Sequence, residues 1–278
     1  MRPHILRFLG VMIMCGNVPS LAAQDAPAAG PPDPSTPLAY RASYASGQVV
    51  GKPEGAPPTP RHTGIVAMIK GLGQDVTHLP SRENLLWVGI GTGLSLAAHP
   101  ADTHVNGDLS GHTLGNVFAP GAILGQSYTL LGIAGTVYAV GRIKDEPKVS
   151  HTGMDLIRSV AIAEFMTEGL KYTVRRERPD RSGANSFPSG HAADTMAFAT
   201  ALERHFGWRY AVPAYVFASY VAMSRLHDNV HYLSDVTAGA AVGIIAGRTV
   251  TRHGRENFPV TVMAVPGGAA IMYVRNGD

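Results

Sequence analysis

Three short segments combine residue types that suit the chemistry of a phosphate ester. The first carries Lys171 and Arg178, seven residues apart, so two helical turns would place both cations on one face. Pro179 disfavours helix at the residue before it and predicts that Arg178 lies at a helix end. An ammonium group beside a fork-shaped guanidinium group matches phosphate oxygens. Taken alone, the segment also fits a solvated basic helix end.

The second segment, Phe187 to His191, precedes an apolar run and predicts the N-terminus of a helix. The first N–H groups of a helix, with its dipole, favour a bound anion. Ser189 adds a hydroxyl donor, and Gly190 lets the backbone approach closely. His191 could donate a proton to a leaving oxygen. The other interpretation is an ordinary helix cap with an incidental histidine.

The third segment contains Arg225, His231 and Asp235. On a helix, His231 and Asp235 at positions i and i+4 would share a face, so the carboxylate could fix the ring tautomer and leave the other nitrogen to attack. Arg225 would add a third cation for phosphate oxygens. An exposed i,i+4 pair, with a contribution of only tenths of a kcal/mol, is the alternative for this segment alone.

Together the segments read Lys-x6-Arg-Pro, Pro-Ser-Gly-His and Ser-Arg-x5-His-x3-Asp, in that order. This compound pattern resembles the signature of the phosphatidic acid phosphatase type 2 and vanadium haloperoxidase superfamily, and every position of that signature is matched without substitution. The resemblance covers about Met154 to Arg248 and implies a helical-bundle fold.

The resemblance also implies a role for each matching residue. His231 would be the nucleophile that forms a phosphohistidine, and Asp235 would orient it. His191 would protonate the leaving group and later activate water. No cofactor is implied, and no metal ligand is assigned. The phosphate oxygens would be held by Lys171, Arg178, Ser189, the Gly190 N–H group and Arg225.

The expected function is a metal-independent phosphatase acting on a phosphorylated small molecule or on a lipid phosphate or diphosphate. A vanadate-dependent haloperoxidase is the alternative within enzymes, but the short chain and its helix layout favour a phosphatase. A non-enzymatic phosphate-binding envelope protein is the alternative outside enzymes, although binding alone needs neither nucleophile nor acid. Nucleic acid is not an expected partner, because the net charge of +3 is not gathered in one long basic run.

Hydrophobic periodicity predicts a mainly α fold of about six core helices in a domain over residues 63–252, and the resemblance implies that they form a bundle. A tail over residues 253–278 is expected to form a short β-hairpin, with strands over Val260–Val265 and Ala269–Val274 around Pro266-Gly267-Gly268. The helices are predicted over Leu85–Ala98, Val117–Gly141, Met154–Val174, Ala192–Phe206, Tyr210–Met223 and Leu233–Arg248.

The N-terminus reads as an export signal over residues 1–23, with an apolar run from Phe8 to Cys15 and small residues from Ser20 to Ala23. A short membrane anchor is the alternative. Cys15 is the only cysteine, so cleavage would leave none for disulfides. Residues 24–62 are rich in Pro, Ala and Gly and are expected to be a disordered linker.

These features predict an exported, periplasmic or envelope protein whose active site lies outside the cytoplasm. A spanning helix needs about 20 apolar residues, and Val117–Gly141 clearly qualifies. The mean hydropathy of +0.04 is low for a polytopic protein, yet many relatives in the resembled family have six spanning helices. Membrane association is the favoured expectation.

One polar stretch invites a metal interpretation. It contains His99, His104 and His112, with Asp102 and Asp108, but their spacing matches no standard ligand pattern. A plain surface loop is expected there, with a loop near the active-site mouth as the alternative.

Overall fold

The computed structural model describes residues 63–110, 114–252, 260–265 and 268–273. Helix dominates these residues, which confirms the mainly α class. The α-helices are α1 (Ile65–His78), α2 (Arg82–Ala98), α3 (Asp102–Leu109), α4 (Gly115–Leu124), α5 (Ser127–Ile143), α6 (Pro147–Val174), α7 (Gly190–Phe206), α8 (Trp208–His227) and α9 (Leu233–Val250), and a 3₁₀ turn spans His99–Ala101. Of these helices, α1 and α3 were not predicted.

The prediction of one continuous helix over Val117–Gly141 is wrong. The chain bends by 58° between α4 and α5. Pro120 lies inside α4, where it cannot donate a backbone hydrogen bond. At the break, a Cβ on Gly125 would lie 2.4 Å from a side-chain methyl of Val221. The bend therefore coincides with a close approach of this segment to α8.

The core lies where α6, α7 and α9 pack together, and it is built largely of small side chains such as Ala163, Ala193 and Ala246. Glycines four residues apart form a stripe along α9. A Cβ on Gly239 would lie 2.4 Å from the carbonyl oxygen of Ser189, and one on Gly243 would lie 2.2 Å from that of Ala193. The backbones of α7 and α9 thus touch along this stripe, which fixes the start of α7 against α9.

No single helix in the described ranges is long and apolar enough to cross a membrane. By length and composition alone, the bent pair formed by α4 and α5 is long and apolar enough when the two helices are taken together.

Two strands belong to a compact unit separate from that of the helices. β1 (Val260–Val265) and β2 (Gly268–Tyr273) pair antiparallel, with Val260 opposite Tyr273. Positions 266 and 267 of the expected turn lie outside the described residues, so the C-terminal hairpin stays a prediction. The expected signal peptide and linker also lie outside them, and the domain boundaries likewise stay predictions.

Gly243→Ala is expected to destabilise the helical unit. The added methyl would meet a backbone oxygen, which cannot rotate away. Overpacking of this kind costs about 1–3 kcal/mol, or a fall in melting temperature of about 3–10 °C. Thermal unfolding measures it.

Gly93→Ala is the matched control, since it also lies within a helix and a Cβ there meets nothing within 4 Å. It should leave the melting temperature unchanged or raise it slightly, because alanine favours helix. Equal destabilisation by both substitutions would contradict the close packing of α7 on α9.

Candidate active site

The first segment lies across a helix end, and this corrects one expectation. Lys171 is in the last turn of α6, but the helix ends at Val174 and Arg175 turns left-handed, with φ of 49°. Arg178 is therefore in the following loop and does not share a helix face with Lys171. The Lys171 ammonium group lies 2.8 Å from a carboxylate oxygen of Glu168 and 3.4 Å from where a Cβ on Gly190 would be. Gly190 therefore leaves room beside this cation.

The second segment begins a helix, as predicted, with Ser189 as N-cap and Gly190 as the first helical residue. The Ser189 hydroxyl does not cap the helix. Ser189 Oγ and Arg178 Nε are both buried, and neither has a hydrogen-bond partner among the described residues. Buried polar atoms without partners are costly, so these two donors are available to a bound anion. Both atoms belong to the side chains expected to hold phosphate.

His231 precedes α9, which begins at Leu233, so the expected shared helix face with Asp235 is wrong. The ring Nδ1 of His231 lies 2.6 Å from the carbonyl oxygen of Ser186 and 3.8 Å from Asp235 Oδ2. A carbonyl only accepts, so Nδ1 carries the proton and Nε2 presents a lone pair. Burial lowers the pKa of His231, although Asp235 and the Ser186 carbonyl oppose it. The geometry and the pKa both favour the neutral, nucleophilic ring.

Asp235 joins the three segments. Its buried carboxylate accepts hydrogen bonds from the Ser186 hydroxyl at 2.5 Å, the Tyr232 N–H at 2.8 Å and Arg176 Nη1 at 2.6 Å. Its backbone oxygen accepts from the Ser189 N–H at 3.0 Å. Asp235 therefore acts on His231 mainly through charge and through Ser186, whose carbonyl holds the ring.

Arg176 extends this network to α3. Its Nη2 donates to Asp102 at 2.8 Å, and its guanidinium carbon lies 4.1 Å above the Tyr232 ring. Asp102 is buried and also accepts from the Ser234 N–H at 2.8 Å. Although burial raises the pKa of Asp102, the hydrogen bonds from Ser234 and Arg176 bring it below its usual value. The expectation of a surface loop is wrong at Asp102; His112 lies outside the described residues.

His191 and Arg225 lie at the same end of the bundle. His191 Nε2 donates to the carbonyl oxygen of Ala122 at 3.1 Å. Burial, followed by the charge of Arg225, lowers the pKa of His191 to about 4, and His231 and Lys171 contribute. Arg225 pairs with Asp228, and burial lowers its own pKa. The charges that act on His191, which belongs to the second segment, thus come from residues of the first and third segments.

Sequence reasoning missed Arg176, Ser186 and Asp102. Arg176 lies two residues before Arg178 in the basic segment, and Ser186 directly precedes Phe187, so proximity to the motifs was an available signal. Asp102 was named only within the polar stretch, and no local signal connected it to the motifs, because its partners there, Arg176 and Ser234, are more than 70 residues away in sequence.

A largely apolar groove of about 1290 Å³ runs between α2, α6 and α9. It reaches Arg176, Phe187 and Ser234, which adjoin the network around Asp235. Its apolar walls include Val88 and Leu96 of α2, Phe165 of α6, and Ala241 and Ile245 of α9.

Residues 152–259 match the family model described as PAP2 superfamily. A lipid A 1-phosphatase of Porphyromonas gingivalis is 44% identical over 91 residues, which cover 32% of this chain and 20% of that protein. A decaprenylphosphoryl-5-phosphoribose phosphatase of Mycobacterium tuberculosis is 32% identical over 136 residues, 46% of this chain and 71% of that protein. The crystal structure of Aquifex aeolicus LpxE aligns with a TM-score of 0.45 at 24% identity, covering 54% of this chain and 93% of that chain. The chain thus spans a fifth of the length of the first of these relatives.

Arg176→Gln should destabilise the protein, because it leaves Asp102 and Asp235 buried without their cation. Breaking a fully buried pair costs about 3–5 kcal/mol; since Arg176 is 21% exposed, we expect about 2 kcal/mol. Chemical denaturation measures the loss.

The loss of stability caused by Arg176→Gln should depend on pH. The folded-state pKa of Asp102 lies below its usual value of 3.8, so the stability it contributes is present above that pH and is lost as the pH falls through the folded-state pKa. Arg175→Gln, at the neighbouring exposed arginine, is the control and should have little effect. A loss of stability equal to that of the control would show that Arg176 does not support the two carboxylates.

Proposed function

This chain belongs to the PAP2 superfamily, and on that premise we propose that it is a phosphatase that transfers a phosphoryl group to His231 and then to water. One observation carries the proposal. His231 presents the Nε2 lone pair and is close enough to Arg178 for its charge to lower the ring's pKa, and Ser189 is bonded through its N–H to Asp235. Ser189 Oγ and Arg178 Nε are buried phosphate-type donors without partners among the described residues. Binding alone would not require a neutral, oriented imidazole, so a catalytic role is favoured over a phosphate-binding protein.

The reaction has two displacements at phosphorus. In the first, His231 Nε2 attacks phosphorus, the bond to the ester oxygen breaks, and His191 gives that oxygen its proton. In the second, His191 takes a proton from water as the water oxygen attacks phosphorus, and the bond to Nε2 breaks. Phosphate leaves, and both histidines return to their starting states.

The surrounding charges suit this reaction. Negative charge spreads over the phosphoryl oxygens in the transition state, and fixed cations and helix N–H groups stabilise it. Lys171, Arg178 and Arg225 supply the cations, and the start of α7 supplies the N–H groups. The reaction calls for no metal at this site.

The haloperoxidase alternative is not favoured. It would use the same cations to hold vanadate, but the relatives of this chain are named as phosphatases.

A lipid phosphate is the proposed substrate class. The relatives are named for lipid A and decaprenylphosphoryl substrates, both of which join a phosphate to long apolar chains. The apolar groove that reaches Arg176 and Phe187 offers such a chain a place beside the phosphate site. We therefore propose an envelope protein that works at a membrane surface outside the cytoplasm.

The two histidines should respond differently to substitution. His231→Ala should abolish both turnover and acid-labile phosphate on the protein after rapid quenching, because the nucleophile is gone. His191→Ala should reduce turnover of alkyl phosphates far more than that of an aryl phosphate, whose leaving group needs little protonation. It should also allow the phosphoenzyme to accumulate, because water is no longer activated.

His104→Ala is the control. His104 lies on α3, where its ring is 3.5 Å from Asp108 and its side chain is 76% exposed. It should retain labelling and most of its turnover. Labelling that survives His231→Ala but not His191→Ala would mean that the nucleophile and the acid are reversed.

Filling the groove should separate lipid from small substrates. Thr92 lies in an exposed part of the groove wall on α2. Thr92→Trp should lower kcat/KM for a lipid phosphate about tenfold, which corresponds to a loss of about 1.4 kcal/mol of transition-state stabilisation. It should leave kcat/KM for an aryl phosphate unchanged. Ile143→Trp, at an 84% exposed site not among the groove residues, should change neither. Equal effects of Thr92→Trp on both substrates would contradict a lipid chain in the groove.

A further inference from the structure

Three buried side chains meet between α6 and α7, apart from the residues that serve the phosphate site. His151 and Asp155 lie one turn apart on α6, and His205 is in the last turn of α7. Asp155 Oδ2 lies 3.2 Å from His151 Nε2 and 3.0 Å from His205 Nε2. Each side chain is at most 1% exposed. Ligands about 2.0–2.1 Å from a tetrahedral Zn²⁺ are about 3.3 Å apart, so the spacing to Asp155 suits such an ion.

The contacts of Thr152 allow the proton arrangement that a metal site needs. The Thr152 hydroxyl donates to the carbonyl oxygen of Lys148 at 3.0 Å. With its single proton used there, the hydroxyl can accept from His205 Nδ1 at 3.3 Å. In this arrangement a neutral His205 carries its one proton on Nδ1 and presents the Nε2 lone pair to the Asp155 carboxylate, 3.0 Å away. A cation held by both atoms would remove their repulsion.

The neighbours of Asp155 complete an arrangement common around protein-bound metals. Arg158 Nη1 donates to Asp155 Oδ1 at 3.1 Å, which leaves Oδ2 directed toward the two histidines. Asp75 accepts from Arg158 Nε and Nη2, each at 2.8 Å, and so offsets the guanidinium charge. Hydrogen bonds from a second layer of residues orient metal ligands in this way, and Thr152 does the same for His205.

We propose that His151, Asp155 and His205 bind a divalent transition-metal ion of the Zn²⁺ class. Two imidazoles and one carboxylate favour such an ion over Mg²⁺ or Ca²⁺, which prefer oxygen ligands. Asp155 and Lys171 are 16 residues apart on α6, a distance of about 24 Å at 1.5 Å per residue. The ion therefore ties α6 to α7 far from the phosphate and takes no part in phosphoryl transfer.

The test uses the full chain without a histidine tag. After removal of metal with a chelator and dialysis, Zn²⁺ alone is added and followed by calorimetry and thermal unfolding. We expect one Zn²⁺ per chain, with a dissociation constant below about 1 μM. At saturation the melting temperature should rise by about 5 °C. Turnover of an aryl phosphate at low temperature should stay within about twofold after chelation, since the chemistry needs no metal.

Variants separate this site from other histidines. His205→Gln should weaken Zn²⁺ binding by about a hundredfold, as loss of one ligand does. His104→Gln is the control, because His104 forms an exposed i,i+4 pair with Asp108 at 3.5 Å, and it should bind Zn²⁺ normally. His231→Ala should also bind Zn²⁺ normally while losing turnover, so failure of the metal site and failure of the proposed reaction are distinguishable.

Two results would overturn the proposal. One is the absence of stoichiometric Zn²⁺ binding by the unsubstituted chain, with a melting temperature indifferent to chelator and Zn²⁺; because it needs no variant, poor folding of His205→Gln cannot obscure it. The other is Zn²⁺ binding of unchanged affinity in His205→Gln, which would place the ion at other residues.

Discussion

The buried carboxylate of Asp235 is the constraint on which the active-site region depends. A fully buried negative charge is tolerated only when donors surround it, and here Arg176, Ser186 and the Tyr232 N–H do so. These donors come from the loop after α6 and from the start of α9, while the Asp235 backbone oxygen holds the N–H of Ser189. Satisfying one carboxylate therefore fixes the relative positions of all three motif segments. His231 is oriented as a consequence, because Ser186 both donates to Asp235 and offers its carbonyl to the ring.

This arrangement requires helices that approach more closely than large side chains allow. The glycine stripe of α9 places its backbone against Ser189 and Ala193 at the start of α7. The hydrogen bond from the Ser189 N–H to Asp235 would be too long if a side chain at Gly239 separated these helices. Small residues in the core thus set the precision of the site, and the larger apolar side chains of α1 and α2 are left at the exposed side of the bundle.

Sequence predicted the chemistry better than the geometry. Residue types and their order pointed to phosphate, and the cap at Ser189 predicted the start of α7, because both depend on local interactions. Helical periodicity predicted the wrong helix ends where tertiary contacts determine them. The left-handed Arg175 ends α6 before Arg178, and α9 begins after His231, so neither expected helical pair shares a face. The pairing of Asp102 with Arg176 joins residues 74 apart and has no local signature.

The positive charges that would bind phosphate also oppose protonation of His191, the acid that phosphoryl transfer needs. Burial and the charge of Arg225 hold the pKa of His191 near 4, so in the free protein the ring is neutral at neutral pH. A bound phosphate dianion would offset Arg225 and Lys171, and the pKa of His191 would rise while the substrate is present. Protonation of the acid and binding of the substrate are then coupled, each favouring the other. Arg178, the third of the phosphate-site cations, adds to burial in lowering the pKa of His231, which keeps that ring neutral and nucleophilic before substrate arrives. One set of charges can thus prepare the nucleophile in the free protein and permit the acid only in the complex.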